Sequence, residues 1–264
     1  MSITPNEITV LGAMRVRNES RWIAMAIESM LPLCVHITIL DDHSTDPTPD
    51  ICRDFGADRV TVIPSPFDDL HEARDKDYLS AAVLEHVPAR HLSGDINSPY
   101  FLLMQDGDEV LDPGSVEFIR CELSTTLRHC YALRILYMWN TPDLVRMDRI
   151  YSRFTRPSIY RLFSRAHRFM NTGRSGNLHC SSAPWDLLHN APMLPGGRLL
   201  HYGYMLPEDR KRKYEWYSKI DPMNYMEDYY RHVIQNDPWG PPGDAVLKHA
   251  GPIEIKSLSS IPLL

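Results

Sequence analysis

The segment HITILDDHSTDPTPD (residues 36–50) joins a strand, a turn and a helix start within one short stretch. Its apolar run HITIL is typical of a buried strand, and Asp41 and Asp42 follow that run directly. Thr48 and Pro49 then mark the start of a helix, because proline is favoured at the first helical position. A strand that leads into a helix in this way is the repeating unit of an α/β sheet.

The same alternation continues on both sides of this segment. The apolar spacing of Trp22, Ala26 and Met30 indicates a helix. Strands are predicted at Ile8–Ala13, Arg59–Ile63, Tyr100–Gln105 and Cys130–Trp139, and further helices at Leu70–Val87 and Pro207–Lys219. The pattern predicts an α/β fold with a mainly parallel central sheet flanked by helices. Residues 146–169 are basic and aromatic without a clear helical period.

Composition excludes several classes of protein. A net charge of −6 argues against sequence-independent binding to nucleic acid, which depends on basic patches. No apolar run reaches the roughly eighteen residues that a membrane span requires. The five cysteines are scattered without a CxxC pair, which predicts reduced thiols and a cytoplasmic location.

An acidic triplet follows another predicted strand. Asp106, Gly107 and Asp108 come directly after the run YFLLMQ (residues 100–105). Two carboxylates on such a turn can face one divalent cation, Mn²⁺ or Mg²⁺, together with the phosphate oxygens of a substrate. Since ligands bind beyond the carboxyl ends of parallel strands, the triplet and Asp41-Asp42 are expected at the same edge. Taken alone, the triplet is equally consistent with a solvated acidic turn.

Two further segments carry candidate side chains. Arg74 lies on a predicted helix among acids, where its spacing favours a surface ion pair over a phosphate contact. His201 precedes a helix with four consecutive cations, residues 210–213. A neutral imidazole can complete a metal site that aspartates begin, and the cations could neutralise a leaving diphosphate. A structural histidine and a solvated helix face are the alternatives.

Together these segments resemble family 2 glycosyltransferases of the GT-A fold. The matching stretches are VRNES, LDDHSTDPTPDICRDFGA, FDDLHEARDKDY, LLMQDGDEVL and LLHYGYM with the basic helix. The resemblance covers about residues 6–220, with the usual glycine replaced by His43. It implies that Asp42, with Asp41 beside it, contacts the nucleobase, taken as uracil. Arg15 would line the nucleotide pocket, and Arg74 would face the diphosphate.

The resemblance also implies a metal site. Asp106 would reach the ribose or the metal shell, Asp108 would bind the metal, and His201 would be a late ligand of the metal or diphosphate. The implied reaction moves a sugar from a nucleoside-diphosphate sugar to an acceptor with inversion. In the segment GNLHCSSAPWDLL (residues 176–188), Asp186 is the first candidate for the base and His179 the second. A helix-start cap is an equally good interpretation of Asp186.

The resemblance suggests three regions: a nucleotide-sugar-binding half (1–115), an acceptor-side half (116–237) and an extension rich in proline and glycine (238–264). The extension is expected to clasp the body or to form a homodimer contact. The acceptor, whether a small molecule, a glycan or a peptide, is not defined by the sequence. The alternatives are a sugar nucleotidyltransferase, disfavoured because MRVRNES (14–20) lacks glycine, and a non-catalytic sugar-nucleotide-binding module.

Overall fold

The computed structural model of the protein describes residues 8–170, 178, 180–222 and 230–263. In the first half, strands alternate with helices as predicted. The strands are β1 (Thr9–Val16), β2 (His36–Asp41), β3 (Val60–Pro64) and β4 (Tyr100–Met104), and the helices are α1 (Ile23–Met30), α2 (Thr48–Arg53) and α3 (Glu72–Leu84). These four strands are parallel, in the order β4-β1-β2-β3.

The second half extends the sheet with mostly antiparallel strands. Its elements are β5 (Glu109–Leu111), α4 (Ser115–Thr125), β6 (Cys130–Trp139), β7 (Thr141–Arg146), β8 (Thr155–Arg161), β9 (Met193–His201), α5 (Pro207–Ile220) and β10 (Ile255–Ser257). The full order is β10-β7-β6-β8-β4-β1-β2-β3, with β9 pairing to both β5 and β6. The predicted α/β class, with a parallel central sheet flanked by helices, is confirmed.

Alternating residues of β1 face the two layers of helices. Val10 and Met14 pack into a core with α1, α2 and α4, whereas Leu11 and Ala13 pack into a second core with α3. Because successive side chains of a strand point to opposite faces, one continuous apolar strand can bury both layers. The first core also contains residues of β6, so that both halves of the chain share it.

Strand β8 was not predicted, because the signals in its sequence conflict. Pro157 lies inside the strand, and the register between β6 and β8 shifts at Tyr131/Ala132. Proline cannot donate to a sheet ladder, so it normally argues against a strand assignment. Because β8 pairs antiparallel with β4, the start of β8, including Arg156, lies beside the end of β4.

The C-terminal segment packs against the body of the protein. Strand β10 pairs with β7, and Arg198 Nη1 donates to the carbonyl of Ile261 at 2.8 Å. The guanidinium groups of Arg146 and Arg210 stack on the ring of Trp139 at 4.7 and 4.2 Å.

Both of these arginines are buried and bind side chains of the last part of the chain. Arg146 donates to Asp148 and to Gln235, the latter at 2.5 Å, and Arg210 donates to Asp237 at 2.6 and 2.8 Å. Gln235 and Asp237 thus tie the segment after residue 230 to two buried arginines of the body. Within the described ranges, no helix is long and apolar enough to cross a membrane.

Candidate active site

The polar segments that follow the parallel strands meet at one edge of the sheet. Val16 pairs with Asp41 and Ala13 with Met104, so the ends of β1, β2 and β4 lie side by side. His201, the last residue of β9, pairs with Glu109 of β5 and so joins the same edge. A cavity of about 760 Å³ opens there, lined by the loop after β1, the turn Asp106–Asp108, His201 and helix α5.

Asp108 is the centre of the charge cluster in this cavity. Its side chain is buried, and Oδ2 lies 2.5 Å from Lys213 Nζ and 3.6 Å from His201 Nε2. Burial opposes ionisation of Asp108, but the neighbouring Lys213 and His201 outweigh it and hold the pKa of this carboxyl well below its usual range. Lys213 also lies 3.6 Å from Glu19 Oε1. A carboxylate is thus kept ionised inside a largely desolvated cluster.

Gly203 makes room for the Asp108 carboxylate. A Cβ atom at position 203 would lie 1.8 Å from Asp108 Oδ2 and 2.8 Å from Lys213 Cε. The backbone N–H of Tyr202 donates to the carbonyl of Asp108 at 2.8 Å. The turn after β9 therefore holds Asp108 from two sides, and only glycine leaves its carboxylate in place.

Asp106 and Glu109 share one cation from β8. Arg156 Nη1 lies 2.6 Å from Asp106 Oδ2, and Arg156 Nη2 donates to Glu109. Burial raises the pKa of Glu109 to about 7, although Arg156 opposes the shift. Arg156 is not predicted from the sequence, because its only signal there is a generally basic stretch, residues 146–169. Asp106 lines the cavity, but its carboxylate is committed to this ion pair.

The nucleotide-side residues form a second network. Arg15 Nη2 lies 2.7 Å from Asp42 Oδ2, and Arg15 Nε lies 2.9 Å from Asp75 Oδ2. Arg15 lines the cavity, whereas Asp42 is buried behind it and is also 3.5 Å from Arg17. Asp42 therefore orients the guanidinium group of Arg15. Beside it, Asp41 Oδ1 is buried without a hydrogen-bond partner in the described part of the chain.

Arg74 lies outside the cavity lining. Its guanidinium group pairs with Asp69 at 2.7 Å and Asp75 at 3.0 Å, and stacks on Phe67 at 3.9 Å. Asp75 links Arg74 to Arg15, because each arginine binds a different oxygen of the Asp75 carboxylate. The predicted contact between Arg74 and a diphosphate remains a prediction.

His201 sits among aromatic rings. The ring centroids of Tyr137 and Tyr204 lie 4.8 and 4.6 Å from that of His201. Burial lowers the pKa of His201, against the opposing charge of Asp108, and so favours the neutral imidazole. A neutral imidazole is the form that binds a metal.

The residues fit a metal site completed by substrate phosphates. Asp108 Oδ2 and His201 Nε2 lie 3.6 Å apart, so together they would hold one divalent ion if the ammonium group of Lys213, 2.5 Å from the same Asp108 oxygen, moved away. No group of three potential metal-ligating side chains occurs among the described residues. Mg²⁺ characteristically takes one or two carboxylates plus phosphates and water, which is the set that this edge offers.

Of the two residues predicted as the catalytic base, only Asp186 lies within the described residues. Asp186 lies on the short helix Trp185–Asn190, and its Oδ2 is 2.5 Å from His167 Nδ1. Asp186 is not among the residues that line the cavity. His179 lies outside the described residues. Glu72, at the start of α3, does line the cavity, and its carboxylate accepts a hydrogen bond from the backbone N–H of Cys180 at 2.8 Å.

Solved structures to which this chain shows a likeness include TarS from S. aureus (a structure of residues 1–349). The likeness covers 86% of this chain and 69% of that one, at 12% identity and a TM-score of 0.42. Another is glucosyl-3-phosphoglycerate synthase from Mycobacterium tuberculosis in complex with Mn²⁺, UDP and phosphoglyceric acid. It matches at 22% identity and a TM-score of 0.30, over 49% of this chain and 43% of that one.

A third is 4-diphosphocytidyl-2C-methyl-D-erythritol synthase from Anaerococcus prevotii, at 7% identity and a TM-score of 0.30, over 59% of this chain and 70% of that one. The chain spans less than half the length of the synthase from M. tuberculosis. The likenesses to TarS and to the synthase from M. tuberculosis agree with the resemblance that the sequence predicts. No family model and no curated protein matches the sequence.

Proposed function

We propose that the protein is a glycosyltransferase that moves a sugar from a UDP-linked donor to an acceptor hydroxyl or amine with inversion. The observation that carries this proposal is the cluster of Asp108, Lys213 and His201 in a cavity that also receives Arg15. Carboxylates, cations and an imidazole at the carboxyl edge of a parallel sheet suit a nucleoside diphosphate bound with a divalent ion.

Donor binding is assigned to the end of β1, the loop that follows it and helix α5. Arg15, held by Asp42 and Asp75, would present its guanidinium group to the nucleotide. Arg17 and Arg212 line the same cavity with half-exposed side chains and would bind diphosphate oxygens. Arg15 is fixed before the nucleotide arrives, so little side-chain entropy is lost when it binds.

Asp108 and His201 would hold Mn²⁺ or Mg²⁺, with Asp106 beside them. When bound, such an ion neutralises charge that develops on the leaving diphosphate. Lys213 would contribute a second positive charge near the ion, and because its side chain is only 13% exposed, that charge is weakly screened by solvent. His201 keeps its ring orientation through the flanking tyrosines.

The acceptor must lose a proton as it attacks the sugar. Asp186 remains our first candidate for this base, although reaching the acceptor requires its carboxylate to leave His167. His179 remains the second candidate, and Glu72 is added as a third, because it already lines the cavity. We expect Asp186→Asn or Glu72→Gln, whichever removes the base, to retain UDP binding while losing transfer. Normal transfer in either variant would exclude that residue.

Calorimetry with UDP, with and without Mn²⁺, tests the proposed donor site. We expect Mn²⁺ to tighten UDP binding at least about tenfold, and Asp108→Asn to remove that gain because it removes the charge that holds the ion. The matched control is Asp58→Asn, an exposed aspartate before β3 at the opposite edge of the sheet. Absence of UDP binding by the unmodified protein would refute the donor assignment, and an unchanged Mn²⁺ effect in Asp108→Asn would refute the metal assignment.

A further inference from the structure

A second cavity, of about 560 Å³, lies between the start of β8 and the C-terminal segment. Among the described residues it is lined by Arg149, Arg153, Lys248 and His249 together with apolar and hydroxyl side chains, and no acidic residue of the described ranges is part of this lining. An anion in this cavity could accept charge-assisted hydrogen bonds from several of these basic groups.

The two arginines that line this cavity differ in how their side chains are held. Arg149 has a φ of 38°, a left-handed conformation that costs a residue with a side chain of order 1 kcal/mol or more. Its Nη1 donates to the carbonyls of Leu247 and Lys248 at 2.6 and 3.3 Å, which anchors the guanidinium group. Arg153 is exposed and has no ion-pair partner within the described part of the chain. The guanidinium group of Arg149 is thus held in place, and that of Arg153 is available to bind an anion.

The cavity adjoins the candidate active site. Thr155, one of its lining residues, directly precedes Arg156, which pairs with Asp106. Phe154, another lining residue, lies 6.0 Å by ring centroid from Tyr137, whose ring is 4.8 Å from that of His201. The ring of Tyr137 therefore lies between Phe154 at this cavity and His201 at the candidate active site, so the two sites are neighbours.

We propose that this basic cavity is the subsite for a phosphate group on the acceptor. The proposal rests on the proposed glycosyltransferase function and adds the class of acceptor: a molecule that carries a phosphate a short distance from the hydroxyl that attacks. A phosphate fits better than a carboxylate, because its three acceptor oxygens and nearly two negative charges engage more of these donors. The phosphate belongs either to a soluble metabolite or to a lipid headgroup.

The test measures binding of phosphate compounds separately from binding of UDP. Calorimetry with glycerol 3-phosphate and with inorganic phosphate should detect binding that weakens as NaCl is raised, because the groups are partly exposed. The double variant Arg153→Gln/Lys248→Gln should weaken it at least about tenfold, since charge-assisted hydrogen bonds are lost. The matched control is Arg165→Gln, which removes an exposed arginine elsewhere. UDP affinity should stay the same in every variant.

The outcomes separate the two proposals. Phosphate binding that is absent, or equal in the double variant and the unmodified protein, would overturn the subsite whether or not UDP binds. Failure of UDP binding with intact phosphate binding would overturn the donor assignment alone. Sedimentation with vesicles of phosphatidic acid in phosphatidylcholine tests the lipid source. Vesicle binding that the double variant loses would assign the phosphate to a lipid headgroup. Binding of glycerol 3-phosphate without vesicle binding would assign the phosphate to a soluble acceptor.

Discussion

Replacing Gly203 by alanine tests how closely the proposed metal site depends on the position of one carboxylate. The added Cβ would lie 1.8 Å from Asp108 Oδ2, so the carboxylate must retreat by at least about 1 Å. No polar group is removed, and φ of Gly203 is outside the left-handed region, so the backbone tolerates alanine. A displacement of about 1 Å is enough to cost about a hundredfold in rate.

The free energy of unfolding should fall by about 1–3 kcal/mol, the usual cost of overpacking, because the bond from Lys213 to Asp108 is stretched. Urea unfolding measures this cost, while titration with Mn²⁺ in the presence of UDP and release of UDP from a donor measure the site. The control is Gly251→Ala, whose Cβ would meet no atom closer than 3.6 Å. If Gly203→Ala bound Mn²⁺ and turned over normally, Asp108 would not be the metal ligand that we infer.

Two further predictions concern stability. Arg146→Met should lower the free energy of unfolding by about 3–5 kcal/mol in a urea titration, because it leaves the buried Asp148 without its cation; a loss below about 1 kcal/mol would contradict this. Burial raises the pKa of Glu19 from 4.5 to about 7. Between these pH values the folded state therefore keeps a proton that the unfolded state has released. The free energy of unfolding should fall as pH rises through this range, by up to about 1.4 kcal/mol per pH unit. Glu19→Gln should reduce this decline, and an unchanged pH profile would refute the shift.

The sequence was informative wherever a strand ended in polar residues. Asp41, Asp42, Asp106 and Asp108 were expected at one edge, and the parallel register of β1, β2 and β4 confirms that placement. This inference depends only on the strands being parallel, which follows from the alternation of strands and helices. His201 is at the same edge, although its route there through the pairing of β9 with β5 could not be read from the sequence.

The partners of these carboxylates could not be predicted. Lys213 is one of four consecutive cations, and helical spacing alone does not show which of them faces Asp108. Arg156 lies on a strand whose signal is hidden by Pro157. Which cation satisfies which acid depends on contacts between segments far apart in sequence, and short-range patterns carry no information about such contacts.

The stacking of Arg146 and Arg210 on Trp139 has a consequence for engineering this protein. Arg210 lies on the same helix as Lys213, one turn before it, and its guanidinium group is held by Asp237. Grafting the last part of the chain from another protein to alter acceptor choice would therefore disturb the cation beside Asp108. A chimera that keeps Lys213 in place would have to transfer Trp139, Arg146 and Arg210 together with the segment from residue 230 onward.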